Sequence, residues 1–324
     1  MIYDIEGNPL TSDSTVEFGL TLDQDDILVV SNPSAMLTTF ADVYSAYDTL
    51  LADVEHEKNL LGYGTSASGA QDTSLPIYEY VLQNPISKED TDHPSWSALP
   101  APQICLTSGV HGEERGAVVA LYNCFRMIVS ESGTAAQTLR NAAQYRIVPV
   151  VNPGGFNANT RDNLHHVNLN RNMGWNWTSE AEHPGAGAYS EYESKALKAW
   201  CDEQAPSTLF MIDMHNHLAS QTDNIFYVFA DIERWRRGFC TVYRGMRNHY
   251  LSEGIDLSDY PFVQQRNLVA GIASEFLGFH GVDAGGVETP YNPSAPTDNQ
   301  YVKPSAEIQG TFINWLLHQY RLGD

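Results

Sequence analysis

The chain has 324 residues, of which 42% are apolar, enough to bury a large core without disulfide or metal staples. Its 40 acidic against 18 basic residues leave a formal charge of −22, a field that repels nucleic-acid phosphates and anionic membrane surfaces. No stretch approaches the ~18 consecutive apolar residues of a membrane span, so the composition argues against a nucleic-acid binder and against a membrane-spanning chain.

In chain order, the N-terminal "MIYDIEGNPL" lacks the basic n-region and apolar run of a signal peptide. The expectation is a soluble protein, cytoplasmic as written and secreted only if a leader has been removed. Residues 1–35 carry turn signals at Gly7-Asn8-Pro9 and Asn32-Pro33 around two short apolar segments, 14–22 and 26–30, which predict a strand or hairpin appendage. From Met36 the pattern changes. Met36, Leu37, Phe40, Val43, Tyr44, Tyr47, Leu50, Leu51 and Val54 fall at helical spacing and predict an amphipathic helix. A Gly/Ser-rich turn at 62–74 then leads into a strand at 75–83.

Three continuous apolar runs follow, at 102–110, 145–151 and 208–214. Continuous rather than alternating runs suit central strands covered on both faces. Helical patterns occupy 117–129, 190–203, 232–251 and 306–320. Strands alternating with helices predict an α/β fold with a mixed, largely parallel twisted central sheet and helices on both faces. We therefore expect one catalytic-sized domain, 36–324, behind the β appendage. Cys105, Cys124, Cys201 and Cys240 are widely spaced without a C-x-x-C pair. They read best as small buried hydrophobes, although an even count also permits disulfides.

Three polar motifs sit where apolar runs end, which is where ligands bind in open α/β sheets. In "TSGVHGEERGAVV", His111 and Glu114 are spaced i, i+3, so that both reach one point. A histidine nitrogen and a carboxylate suit a catalytic zinc that keeps a position open for water. "TLFMIDMHNHLAS" delivers Asp213, His215 and His217 at the end of a buried run. His215 and His217 share a face of an extended strand, and either qualifies as a third ligand. His215, nearer the apolar run, is preferred, leaving His217 to line the pocket or to support a ligand from behind. "DAGGVETPYNP" presents Glu288 among turn residues, where a carboxylate near the metal can take and return a proton. Singly, each motif has a plain structural alternative: a surface helix pair, a satisfied core histidine, an exposed loop glutamate.

Taken together and in order, these residues resemble the zinc carboxypeptidase family (carboxypeptidase A-like metallocarboxypeptidases, or funnelins). The resemblance runs from about residue 36 to 316 and is strongest over 102–291. It is carried by His111-Gly112-Glu113-Glu114, Asn152-Pro153-Gly154-Gly155, Arg161, "VNLNRN" at 167–172, His215 and Glu288. It implies one zinc ion per chain on His111, Glu114 and His215, with Glu288 as general base and acid. Arg161 would polarise the scissile carbonyl, while Asn170 and Arg171 would hold the substrate's terminal carboxylate. The implied substrate is a peptide or peptide-like molecule with a free C-terminal carboxylate.

The sequence departs from that pattern twice. Asn168 stands where the family usually carries the Asp that orients the first zinc histidine, so the contact would lack charge. Arg266 stands about where the family's capping tyrosine is expected, with Tyr260 and Tyr291 nearby; it is a candidate for gripping an acidic substrate group. Ala273 falls where members specific for basic termini carry an acid, which favours a small or apolar terminal side chain unless Glu275 faces the pocket. Competing readings are an aspartoacylase- or succinylglutamate desuccinylase-like amidohydrolase acting on N-acyl amino acids, and a binding module without turnover. "HNH" at 215–217 alone is poor support for a nuclease, and the acidic charge opposes it.

Overall fold

A computed structural model describes residues 2–3, 9–10, 27–29, 37–83, 102–218, 226–229, 233–252, 262–265, 271–291 and 302–322. Among the described residues the strands are β1 (Ile2–Tyr3), β2 (Pro9–Leu10), β3 (His56–Thr65), β4 (Gln71–Leu82), β5 (Gln103–Ser108), β6 (Gln144–Val148), β7 (Thr208–Leu218), β8 (Phe226–Phe229), β9 (Phe262–Gln265) and β10 (Asp283–Tyr291). The helices are α1 (Phe40–Leu50), α2 (Arg115–Ser130), α3 (Thr134–Ala142), α4 (Pro153–Ala158), α5 (Tyr192–Gln204), α6 (Glu233–Ser252), α7 (Ile272–His280) and α8 (Val302–Leu322). β1 and β2 pair antiparallel as a separate two-stranded sheet. The other eight strands form one sheet in the order β3-β4-β6-β5-β7-β10-β8-β9.

At the centre of that sheet, β6, β5, β7 and β10 run parallel, while β3 and β4 at one side and β8 against β10 are antiparallel. Alternate residues of the central strands enter two cores. Ile104, Leu106, Phe210, Ile212 and Met214 pack with α1, α2, α3, α6 and α8 on one face. Cys105, Val148, Met211 and Ala284 pack with α5 and α7 on the other. Burial on both faces is what the continuous apolar runs required.

The first helix is shorter than its apolar spacing predicts. Thr39 caps it by accepting from the Asp42 N–H at 3.1 Å, and the Asp42 carboxylate accepts from the Thr39 N–H at 3.1 Å. This reciprocal capping box starts the helix at Phe40 rather than at Met36. The strand expected over 14–22 lies outside the described residues. Within the one expected over 26–30, Ile27–Val29 is not a strand. Instead the Leu28 N–H donates to Thr311 Oγ1 at 3.1 Å, and Ile27 and Leu28 join the core beside α8. β3 and α3 have no counterpart among the expected elements. All four cysteines are free and buried, and burial pushes the thiols of Cys105 and Cys124 up to about 12. No described helix is long and apolar enough to cross a membrane.

Candidate metal centre

The site forms at the C-terminal ends of β5, β7 and β10. Past Ser108 the chain turns at Gly109, whose φ of +66° suits glycine. The Asn152 N–H then donates to the Gly109 carbonyl at 2.9 Å. Asn152 also caps α4: its Oδ1 accepts from the Gly155 N–H at 2.8 Å, and its Nδ2 donates to the Val110 carbonyl at 3.2 Å. One side chain thus ties the "NPGG" turn to the residue before His111. The two turns touch so closely that a Cβ on Gly112 would lie 1.9 Å from the Gly155 carbonyl carbon. Gly112→Ala must therefore push the turns apart, at a cost of about 1–3 kcal/mol or more. Denaturant unfolding checks this, together with the metal content of the variant.

His111 and Glu114 follow this turn, and β7 carries Asp213 and His215 on one face. The carboxylate of Glu114 sits between two imidazoles, with Oε1 2.6 Å from His111 Nδ1 and Oε2 2.9 Å from His215 Nδ1. Donor atoms of His111, Glu114 and His215 all lie within 4.8 Å of one another, and all three residues are buried. Each ring is held from behind. His111 Nε2 lies 3.2 Å from Asn168 Oδ1, and His215 Nε2 lies 2.9 Å from Asp213 Oδ2. Thr107 Oγ1 donates in turn to Asp213 Oδ1 at 2.6 Å. Both rings therefore turn Nδ1 inward while Nε2 is fixed by an outer oxygen, the arrangement that orients metal-ligating histidines. Two imidazole nitrogens and one carboxylate also make a donor set suited to zinc. The cluster could hold a metal ion.

Electrostatics point the same way. Burial opposes protonation of His215, but the carboxylates of Asp213 and Glu114 overcome it and hold its pKa well above the ordinary value. Burial likewise works against the Glu114 carboxylate, yet His111 and His215 hold its pKa well below the usual range. A buried cluster so strongly biased toward positive charge between its carboxylates favours a cation.

β10 runs parallel to β7 with Glu288 beside His215, so both side chains leave the same face of the sheet. Burial first, and then the Glu114 carboxylate, push the Glu288 carboxyl up to about 7 against the opposing pull of His215 and Arg161. His217 Nδ1 lies 3.8 Å from Glu288 Oε2 and is not part of the donor cluster. Arg161 Nη1 is 3.5 Å from Glu114 Oε1 and 3.9 Å from Glu113 Oε1, and its Nε is 4.0 Å from Glu182 Oε2.

Asn170 and Arg171 lie on the short 3-10 turn Leu169–Arg171, directly after Asn168. Burial and then the charge of Arg161 lower the Arg171 pKa, against the opposing pull of Glu182. Glu275 does not offer a free charge to a pocket: it is 1% exposed, accepting from the Trp175 N–H at 2.9 Å and from the Tyr189 hydroxyl. Arg266 and Tyr260 lie outside the described residues, and Tyr291 ends β10. Sequence reasoning gave no role to Thr107 or Asn152 and did not assign Asp213 to His215. The i, i+2 spacing of Asp213 and His215 on a buried strand was the available signal.

Residues 86–237 match the family described as "Zinc carboxypeptidase". Over 133 residues, 41% of this chain, the sequence is 32% identical to cytosolic carboxypeptidase 1 of Xenopus laevis. That match spans only 10% of the relative's own length. Among solved structures, the fold is similar to a metallo-carboxypeptidase from Burkholderia cenocepacia, with a TM-score of 0.59 and 15% identity over 88% of this chain and 70% of that one. It is also similar to thrombin activatable fibrinolysis inhibitor, with a TM-score of 0.63 and 14% identity over 88% of this chain and 77% of the other.

Proposed function

We propose, from the match of residues 86–237 to the zinc carboxypeptidase family, that the protein hydrolyses the C-terminal amide bond of peptides. The observation that carries this reading is the buried His111–Glu114–His215 cluster with Glu288 beside it on the neighbouring strand. These three residues would hold one zinc ion, which when bound supplies a Lewis acid that makes water nucleophilic at neutral pH. Glu288 takes a proton from the attacking water and returns it to the leaving amine nitrogen, for which a pKa near neutrality is suited. Arg161 donates to the carbonyl oxygen as charge develops on it. Asn170 and Arg171 bind the terminal carboxylate, the guanidinium gripping it through two parallel hydrogen bonds, which restricts cleavage to the last residue. Asn168 and Asp213 hold the two ligand rings in register.

Protonation competes with metal binding here, and its sign is fixed by the raised pKa of His215. A raised pKa keeps the proton on at pH values where a free histidine would have lost it, so binding the metal must release it. Apparent zinc affinity should fall as pH drops, on the order of tenfold per pH unit for each proton displaced, and the fall should already operate at neutrality. Glu114, with its lowered pKa, adds to this competition only in strong acid. Chelator competition between about pH 6 and pH 8 measures the slope.

The reading as a whole is tested by a substrate panel of peptides with free C-termini, the same peptides as C-terminal amides, and N-acyl amino acids. Release of the terminal residue from the free peptides alone supports it. Turnover confined to N-acyl amino acids would establish the amidohydrolase alternative, and no turnover of any by zinc-loaded protein would leave only a binding role.

A further inference from the structure

Helix α7 presents three residues on one face, Gly271 at its N-cap, Glu275 and Gly278, spaced i, i+4 and i+7. Gly271 is engaged by Asn170 on the 3-10 turn itself, and Glu275 and Gly278 by the segment that follows that turn. The Asn170 side chain lies directly over Gly271, where a Cβ would stand 1.9 Å from Asn170 Oδ1. Glu275, 1% exposed, accepts from the Trp175 N–H at 2.9 Å and from the Tyr189 hydroxyl. The Trp175 indole covers Gly278, where a Cβ would come within 2.2 Å of the ring. Tyr189 reaches Glu275 by passing over Gly174, whose added Cβ would lie 2.1 Å from the Tyr189 hydroxyl oxygen. The segment is also closed on itself: the Tyr189 N–H donates to the Asn172 carbonyl at 2.7 Å, and Asn172 Nδ2 donates to the carbonyls of Pro184 and Gly187 and to Ser190 Oγ.

A buried carboxylate costs free energy unless it is fully hydrogen-bonded, and Glu275 takes no part in the chemistry above. Its two acceptor contacts hold both ends of the 175–189 excursion, while Gly271, one turn away, gives Asn170 its seat. We propose that the first turn of α7, through Gly271 and the buried Glu275, positions the Asn170–Arg171 pair and so sets how tightly the site holds a terminal carboxylate. This rests on the reading of Asn170 and Arg171 as a carboxylate anchor. Glu275 is a positioning residue; it acts through the segment it fastens and touches no substrate.

The test uses the whole 324-residue chain, zinc-loaded, and two probes, N-acetyl-L-phenylalanine and its amide, titrated calorimetrically. The parent protein should bind the carboxylate more tightly than the amide. Glu275→Ala and Gly271→Ala should each weaken carboxylate binding by roughly 3–10-fold, the loss of about one hydrogen bond's net contribution. Amide binding and zinc stoichiometry should not change. Glu275→Gln, which keeps an acceptor for the Trp175 N–H, should restore most of the loss. Carboxylate preference undiminished in both alanine variants overturns the proposal, and so does an equal weakening of both probes or loss of zinc, which would mark a purely structural role. A parent protein indifferent between carboxylate and amide sinks the anchor itself. If it hydrolyses free peptides while the α7 variants keep their preference, this inference alone fails.

Discussion

Glu288→Gln should lower kcat/KM by about 10²–10⁴-fold, the usual contribution of a positioned acid–base group, while zinc stays at one ion per chain. The substitution preserves shape and removes only the ability to carry a proton. Glu288 is not in the donor cluster, so its loss as a base leaves His111, Glu114 and His215 intact. Its carboxyl is pushed up by burial and by Glu114, and replacing it with a neutral amide relieves that repulsion. The variant should therefore unfold no earlier than the parent. Steady-state kinetics with metal analysis on the same preparation separates the outcomes. Full activity would remove Glu288 from the reaction, and loss of zinc would make it a ligand.

His215→Ala has a larger and different consequence. It should abolish both metal binding and turnover, because one of three donors is gone. It should also destabilise the metal-free protein. Asp213 and Glu114 both lie within 2.9 Å of the His215 ring nitrogens, and removing the ring leaves two buried carboxylates without their shared partner. Breaking a buried ion pair from one side typically costs about 3–5 kcal/mol. In the parent, the raised His215 pKa means that this contribution is complete below the ordinary histidine pKa and fades as pH rises through the folded-state value. The stability gap between parent and variant should therefore be widest in mildly acidic solution and narrow toward alkaline pH. Urea titrations of metal-free protein at several pH values measure it, and a gap that widens with rising pH would contradict the ion-pair account.

The central sheet was legible because its strands are buried on both faces: the runs at 102–110, 145–151 and 208–214 became β5, β6 and β7. The edge was not. β3 is exposed over much of its length, so no apolar periodicity marks it, and α3 is a short run of mostly small and polar residues in which Leu139 is the one large apolar side chain. The start of α1 was set by a local cap at Thr39 that overrides apolar spacing. At the site, the ordered motifs pointed to His111, Glu114 and His215, whose donor atoms lie within 4.8 Å of one another, to Glu288 in register with His215, and to Arg161, 3.5 Å from Glu114 Oε1. What spacing alone did not convey was the supporting layer. Asn152 joins two turns 42 residues apart in sequence, and Thr107 reaches Asp213 across neighbouring strands. Such contacts depend on register, which single-strand patterns do not contain. The reading of Glu275 as a possible pocket charge changed for the same reason, since its partners Trp175 and Tyr189 come from a distant segment.

The most direct test of the central claim is an anomalous difference map recorded at the zinc edge from crystals of the protein grown with zinc. The account predicts one strong peak per chain, within bonding distance of His111 Nδ1, Glu114 and His215 Nδ1. A map with no peak at that cluster, or with zinc bound only elsewhere, would contradict it.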